Sequence, residues 1–146
     1  MQKTTVEGRT FAIVPLLLFL TFSAPAMARE VVIGHPGIKI DNLTRQQVSD
    51  LFLGKIRKLP DGTQVVVFDH KDDEVIKGEF YRKVANMTLD QLKAYWAKVE
   101  FAGKIFPPLA YKGDQAVKRL VSHTIGGIGY IEEGSVDGTV KVLFKP

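Results

Sequence analysis

Leu51-Phe52-Leu53-Gly54-Lys55-Ile56-Arg57-Lys58-Leu59-Pro60-Asp61-Gly62 runs straight into Thr63-Gln64-Val65-Val66-Val67-Phe68-Asp69. The first part is an apolar helix end stopped by Gly54, a residue free to adopt the left-handed conformation that closes a helix. A basic loop and a Pro-Asp-Gly turn follow, and the β-branched run after them is long enough for a buried strand. The stretch therefore reads as a helix-to-strand joint in an α/β protein. Upstream, Thr44 is placed to cap the helix, Gln47 completes a capping box, and Leu43 with Val48 forms a hydrophobic staple. Val48, Leu51 and Phe52 fall on one helix face. Before them, Val31-Val32-Ile33 is a short strand closed by Gly34 and the Pro36-Gly37 turn.

Downstream, Ile76, Phe80, Val84 and Met87 recur at helical spacing, with the acidic residues before them expected in the first turn, where they complement the helix dipole. Thr88 and Gln91 repeat the capping box and open a third helix, which turns Leu92, Tyr95, Trp96 and Val99 inward and stops at Gly103. Pro107-Pro108 demands an extended connection. A fourth helix is expected from Asp114, burying Val117, Leu120 and Val121, before Gly126-Gly127 releases a strand over 128–131. A last strand is expected over 139–144, with Val140, Val142 and Phe144 alternating onto one face. The order of strand, helix, strand, three helices, strand, strand predicts a three-layer-like sandwich, a small mixed β-sheet flanked by about four helices.

Lys3 and Arg9 precede an apolar run from Phe11 to Phe22 that closes with Ala26-Met27-Ala28. This is the pattern of a secretory signal peptide over 1–28, cleaved after Ala28, and the apolar run is short for a bilayer span. The expected mature protein is one domain over 29–146, periplasmic and not membrane-spanning. The net charge of +4 is mild and its charges are interspersed, so neither nucleic acid nor an anionic membrane is implied as a partner. Absence of cysteine excludes disulfides and thiolate chemistry.

Candidate chemistry gathers where the buried strand ends, at Asp69-His70-Lys71-Asp72-Asp73-Glu74. Asp69, His70, Lys71, Asp72 and Asp73 are candidate ligand-binding residues there. Oxygen donors beside one imidazole leave a divalent cation as a weaker alternative, although the alternating spacing of a calcium loop is missing and no metal ligands are assigned. His35, His70 and His123 lie in no metal-ligand spacing and read as surface or internally satisfied residues. Lys55, Arg57 and Lys58 are a candidate contact for an anion or a partner, against the plainer reading of a solvated turn. Trp96 lies on an apolar stripe and reads as core. Without a Gly-x-Ser-x-Gly elbow or a cysteine, no catalytic residue is assigned. The expectation is a non-enzyme that needs no cofactor.

Several of these segments, in order, resemble the substrate-binding proteins of phosphate ABC transporters. They are Pro36-Gly37-Ile38-Lys39 with Leu51 to Ile56, then Phe80-Tyr81 with Val84, then Gly126-Gly127-Ile128-Gly129-Tyr130-Ile131. Tyr95-Trp96, Phe101-Ala102-Gly103-Lys104 and Pro107-Pro108 are similar to segments of small exported single-lobe relatives. The likeness covers most of the mature chain but about half of a full-length member. It implies one lobe of a type 2 periplasmic binding protein, with a solute-binding or accessory role. The partners implied are a small anion such as phosphate, and an ABC transporter permease or another envelope protein. It also implies an anion site after the buried strand, where the family carries a loop of the type Arg-Ser-Asp-Gly-Ser-Gly-Thr. Here 69–74 stand in that place with Lys71 as the only certain cation, so four carboxylates at the mouth argue against phosphate binding in the family's manner. A protein-interaction module that has lost ligand binding is the alternative.

Overall fold

Both capping boxes form. Thr44 Oγ1 accepts from Gln47 N at 3.2 Å while Gln47 Oε1 accepts from Thr44 N at 2.8 Å. Thr88 and Gln91 repeat the exchange at 3.2 and 2.9 Å. These reciprocal bonds satisfy amides that a helix start leaves unpaired. The computed structural model describes Gly8, residues 29–103 and residues 105–146, so the expected leader lies outside the described residues. The elements are β1 (Glu30–Gly34), α1 (Arg45–Phe52), β2 (Val66–His70), α2 (Val75–Ala85), α3 (Leu89–Phe101), β3 (Leu109–Tyr111), α4 (Asp114–His123), β4 (Gly127–Glu132), a 3-10 turn (Glu133–Ser135) and β5 (Lys141–Phe144). Among the described residues, no helix is long and apolar enough to cross a membrane.

The strands form one mixed sheet in the order β3-β2-β4-β1-β5. β2 is parallel to β3 and to β4, while β1 is antiparallel to β4 and to β5. Alternate strand residues divide between two cores. Val32, Ile128 and Tyr130 pack with Phe52, Phe80, Tyr81 and Trp96 from α1, α2 and α3. Val31, Ile33, Phe68 and Ile131 meet Val117 and Val121 of α4 on the opposite face. The result is an open α/β sheet covered on both sides. The Phe80 and Tyr130 rings stack at 3.8 Å between centroids, with Phe52 edge-on to both. At Gly129 a Cβ would lie 2.7 Å from Val117 Cγ1, so the missing side chain lets α4 press onto the sheet.

Three local features depart from the sequence reading. The segment after Pro107-Pro108 is a third strand, β3, at the sheet edge, so two helices rather than three separate it from β2. The helix expected to carry acidic residues in its first turn begins at Val75, with Glu74 as an N-cap that makes no side-chain cap bond. The alternation along β5 is broken by a register shift: Val32 pairs with Phe144 and Ile33 with Val142. An extra residue therefore lies between them, and Phe144 joins buried Leu143 on the α1–α3 side while Val140 and Val142 pack on the α4 side.

Candidate functional site at the carboxyl ends of the parallel strands

From the end of β2 the chain departs to α2 on one face, and from the end of β3 it departs to α4 on the other. Between two such parallel neighbours the backbones diverge and leave a crevice, the usual ligand position of open α/β sheets. The residues of 69–74 line this crevice, but not as a uniform acidic mouth.

Asp69 and His70 are the last residues of β2, buried at 2 % and 0 % exposure. Asp69 Oδ1 accepts from the Tyr130 hydroxyl at 2.5 Å and from His70 N at 2.7 Å. Its Oδ2 accepts from the Tyr81 hydroxyl at 2.9 Å and stands 3.3 Å from Lys77 Nζ. A buried carboxylate persists only when its lone pairs are met in this way. Burial, then the charge of Asp69, pushes both phenols well above their ordinary pKa. They therefore act as neutral donors across the neutral pH range.

His70 Nε2 lies 2.8 Å from the Tyr130 carbonyl oxygen, and Nδ1 lies 3.2 Å from Glu74 Oε2. The Tyr130 carbonyl oxygen can only accept, so Nε2 carries the proton that points to it, and Nδ1 faces the Glu74 carboxylate. Glu74 closes the crevice. Its Oε1 accepts from Gly113 N, the N-cap of α4, at 2.9 Å, and its Oε2 accepts from Lys71 N at 3.3 Å. A negative group held by backbone amides at a helix start is the arrangement that such sites offer to oxyanions. Here the negative group belongs to the chain itself.

The other acidic residues are matched by lysines. Asp72 Oδ1 is 2.7 Å from Lys77 Nζ and its Oδ2 is 3.8 Å from Lys93 Nζ, while Asp73 Oδ2 is 3.1 Å from Lys112 Nζ. The hydrogen bond from Lys77 holds Asp72 below the usual carboxylate range, and Lys112 does the same for Asp73. The expectation of four free carboxylates at the mouth is thereby corrected: Asp69 is interior, Glu74 fills the crevice, and Asp72 and Asp73 are ion-paired. Lys71 is exposed beside them. Among the described residues, no group of three or more histidines, cysteines or acidic residues could hold a metal ion. The cation alternative therefore has no ligand set there.

Lys55, Arg57 and Lys58 are not brought to this site. They precede β2, whose five residues put them roughly 17 Å away at the other end of the sheet. Lys55 Nζ is 3.7 Å from Asp50 Oδ1, and Arg57 and Lys58 are exposed. A cavity of about 320 Å³ does adjoin the site, bounded by α2, α3 and the segment entering β3. Its apolar wall includes Leu92, Trp96 and Pro107, and its polar rim includes Asp72, Lys77 and Lys93. Trp96 is core, as expected, but it also faces this cavity. Lys77, Tyr81 and Tyr130 were absent from the candidate set. Helical spacing from Phe80 places Lys77 and Tyr81 near the α2–sheet interface, but only the pairing of β4 beside β2 brings Tyr130 to Asp69.

Comparison with solved structures shows what this fold resembles. A protein from Clostridium perfringens, assigned as a phosphate ABC transporter substrate-binding protein and solved with bound phosphate, matches at a TM-score of 0.65 and 21% identity, over 80% of this chain and 44% of its own. This chain has the fold of one such lobe. An ABC-type phosphate transport receptor from Vibrio cholerae matches at 0.63 and 18% identity, over 80% and 45%. PstS from Borrelia burgdorferi matches at 0.59 and 18% identity, over 80% and 46%. The chain thus spans less than half the length of these neighbours. No family model and no curated protein matches it.

Proposed function

We propose that this chain is an exported accessory module of the cell envelope, built on a phosphate-transporter solute-binding lobe, which works in the periplasm by docking rather than by sequestering phosphate or by catalysis. The observation that carries this reading is Glu74. Its carboxylate takes the backbone amides of Lys71 and Gly113, donors a bound oxyanion would need, and lies against the His70 ring. A phosphate entering the crevice must displace a charge already tethered to the site, and residues 69–74 offer it no arginine, serine or threonine to compensate. The module has two charged ends for docking, the paired Asp72–Lys77 and Asp73–Lys112 cluster and the Lys55–Arg57–Lys58 loop, toward a permease or another envelope protein. Calorimetry of the protein against phosphate tests the reading: a flat titration at millimolar ligand is expected, and saturable heat would overturn it.

A second reading, solute binding by this same lobe, rests on the cavity beside Trp96. An apolar wall with a few charged groups on its rim suits a small organic solute better than a bare oxyanion. The sequence holds one tryptophan, so a saturable change in indole fluorescence on titration would report binding there directly.

A further inference from the structure

The end of the sheet opposite the crevice carries an uncovered groove. Pro107 and Pro108 have no N–H to give a ladder, so the pairing of β3 with β2 begins only at Leu109 beside Phe68. Val66 and Val67 pair on one edge with Gly127 and Ile128 of β4 and meet no strand on the other. The gap is a groove of about 240 Å³ between β2, the end of α1 and the segment entering β3. Leu51, Ile56, Val65 and Val67 make its walls apolar, and Phe106 stands at its lip, 76 % exposed. Arg57 is the only charged residue in its lining among the described residues. Lys55 and Lys58 lie on either side of Arg57 in sequence, and all three are exposed. Of them, Lys55 alone has an ion pair among the described residues, with Asp50 at 3.7 Å. Asp61, in the turn beyond, accepts from Thr63 N at 3.0 Å and has Lys39 as a neighbouring charge. Against Asp50 and Asp61, the described rim therefore keeps a positive balance.

We infer that this groove receives an extended acidic segment of a partner protein, one apolar side chain filling it while flanking carboxylates meet Arg57 and Lys58, a role that rests on the docking reading above and specifies the partner's chemistry. The volume is below the roughly 300–1,000 Å³ of small-molecule pockets, which suits a single anchoring side chain. Ion pairs between exposed groups add little affinity, but complementary charge steers the encounter and fixes its register. Residues 1–28 of this chain are the poorer occupant, because Lys3 and Arg9 would meet like charge. The acidic cluster of a second copy is also the poorer occupant, since Asp72 and Asp73 are already paired with lysines.

Amide NMR of the protein during titration with three capped pentapeptides tests the groove. The first has a phenylalanine between two pairs of glutamates, the second has alanine in place of that phenylalanine, and the third has lysines in place of the glutamates. The first is expected to give saturable shifts at Ile56, Val66 and Phe106 while leaving Leu89 and Leu92, beside the Trp96 cavity, unmoved. The other two should bind at least about tenfold more weakly. Arg57→Glu and Phe106→Ala change exposed side chains, so both variants should fold as the parent does. Each should weaken the first peptide by at least about fivefold. No saturation with the first peptide at millimolar concentration, equal binding by either control, or unaltered affinity in either variant would each overturn the assignment. Shifts of the same amides on dilution of the protein alone would give the groove to a second copy and overturn it too. If the peptide fails while phosphate still gives no heat, the docking reading stands and only this groove is lost; saturable phosphate heat removes the docking reading itself.

Discussion

Replacing Glu74 with alanine should convert a self-satisfied crevice into an open one. The variant removes the acceptor of Gly113 N at 2.9 Å and of Lys71 N at 3.3 Å, and the carboxylate 3.2 Å from His70 Nδ1. Lys71 N also faces the Tyr111 carbonyl, and Gly113 N can reach water, so those two losses are partly made good. The His70 ring is fully buried and keeps only Asp114 as an acidic neighbour, 3.8 Å from Nε2. With hydrogen bonds to charged groups contributing about 1.5–3 kcal/mol each, a net loss of about 2–4 kcal/mol follows. For a domain of this size, at about 3–5 °C per kcal/mol, the melting temperature should fall by about 6–20 °C. Phosphate should then restore part of the loss, since an anion at a hundred times its Kd adds about 2.7 kcal/mol. The assay is thermal unfolding of both proteins in phosphate and in chloride at matched ionic strength. Phosphate stabilises most proteins by exclusion from their surface, so the diagnostic quantity is the extra rise in the variant. A variant that melts within about 1 °C of the parent, or an equal rise in both proteins, would refute the role given to Glu74.

Asp69→Asn should cost about 3–5 kcal/mol in urea unfolding at neutral pH, because Lys77 loses a buried counter-charge and two phenols lose a charged acceptor. The raised pKa values of Tyr81 and Tyr130 favour the folded state fully below about pH 10, and that contribution declines as pH rises beyond it, since the unfolded chain releases two protons that the native one keeps. The slope should be about −2.7 kcal/mol per pH unit, and phenolate absorbance should appear for these two residues only with unfolding. Gly129→Val would push Val117 and α4 off the sheet, costing about 1–3 kcal/mol by denaturant titration. Lys112→Ala, which breaks a pair between two exposed side chains at 3.1 Å, should change stability by less than about 1 kcal/mol in the same assay.

The helices were legible because their signals are local. Thr44 with Gln47 and Thr88 with Gln91 lie three residues apart, and Gly54, Gly103 and Gly126 take the positive φ values, 67°, 67° and 75°, that mark the ends of helical segments. The edge strand β3 was not legible, since two exposed residues and a half-buried one after two prolines carry no alternation, and their strand character comes from Phe68, Asp69 and His70 alongside. The site was half legible. The polar run after Phe68 looks like a loop by composition, yet Asp69 and His70 extend the strand because partners 12 and 61 residues away satisfy Asp69 and one 60 residues away meets the His70 ring. Burial of a charged side chain depends on who faces it across the fold, and no spacing rule within a short window carries that information. Lysine pairing at the mouth was hidden for the same reason: Lys112 is 39 residues from Asp73.

The tether at Glu74 has a consequence for how this crevice behaves. In a receptor that closes on its cargo, occupancy can be sensed because the loaded and empty shapes differ in free energy. A protein that carries its own carboxylate between β2 and α4 starts with this crevice already filled. Under the proposed function, a partner would find one constant surface at this crevice, suited to a standing attachment rather than a messenger of nutrient supply.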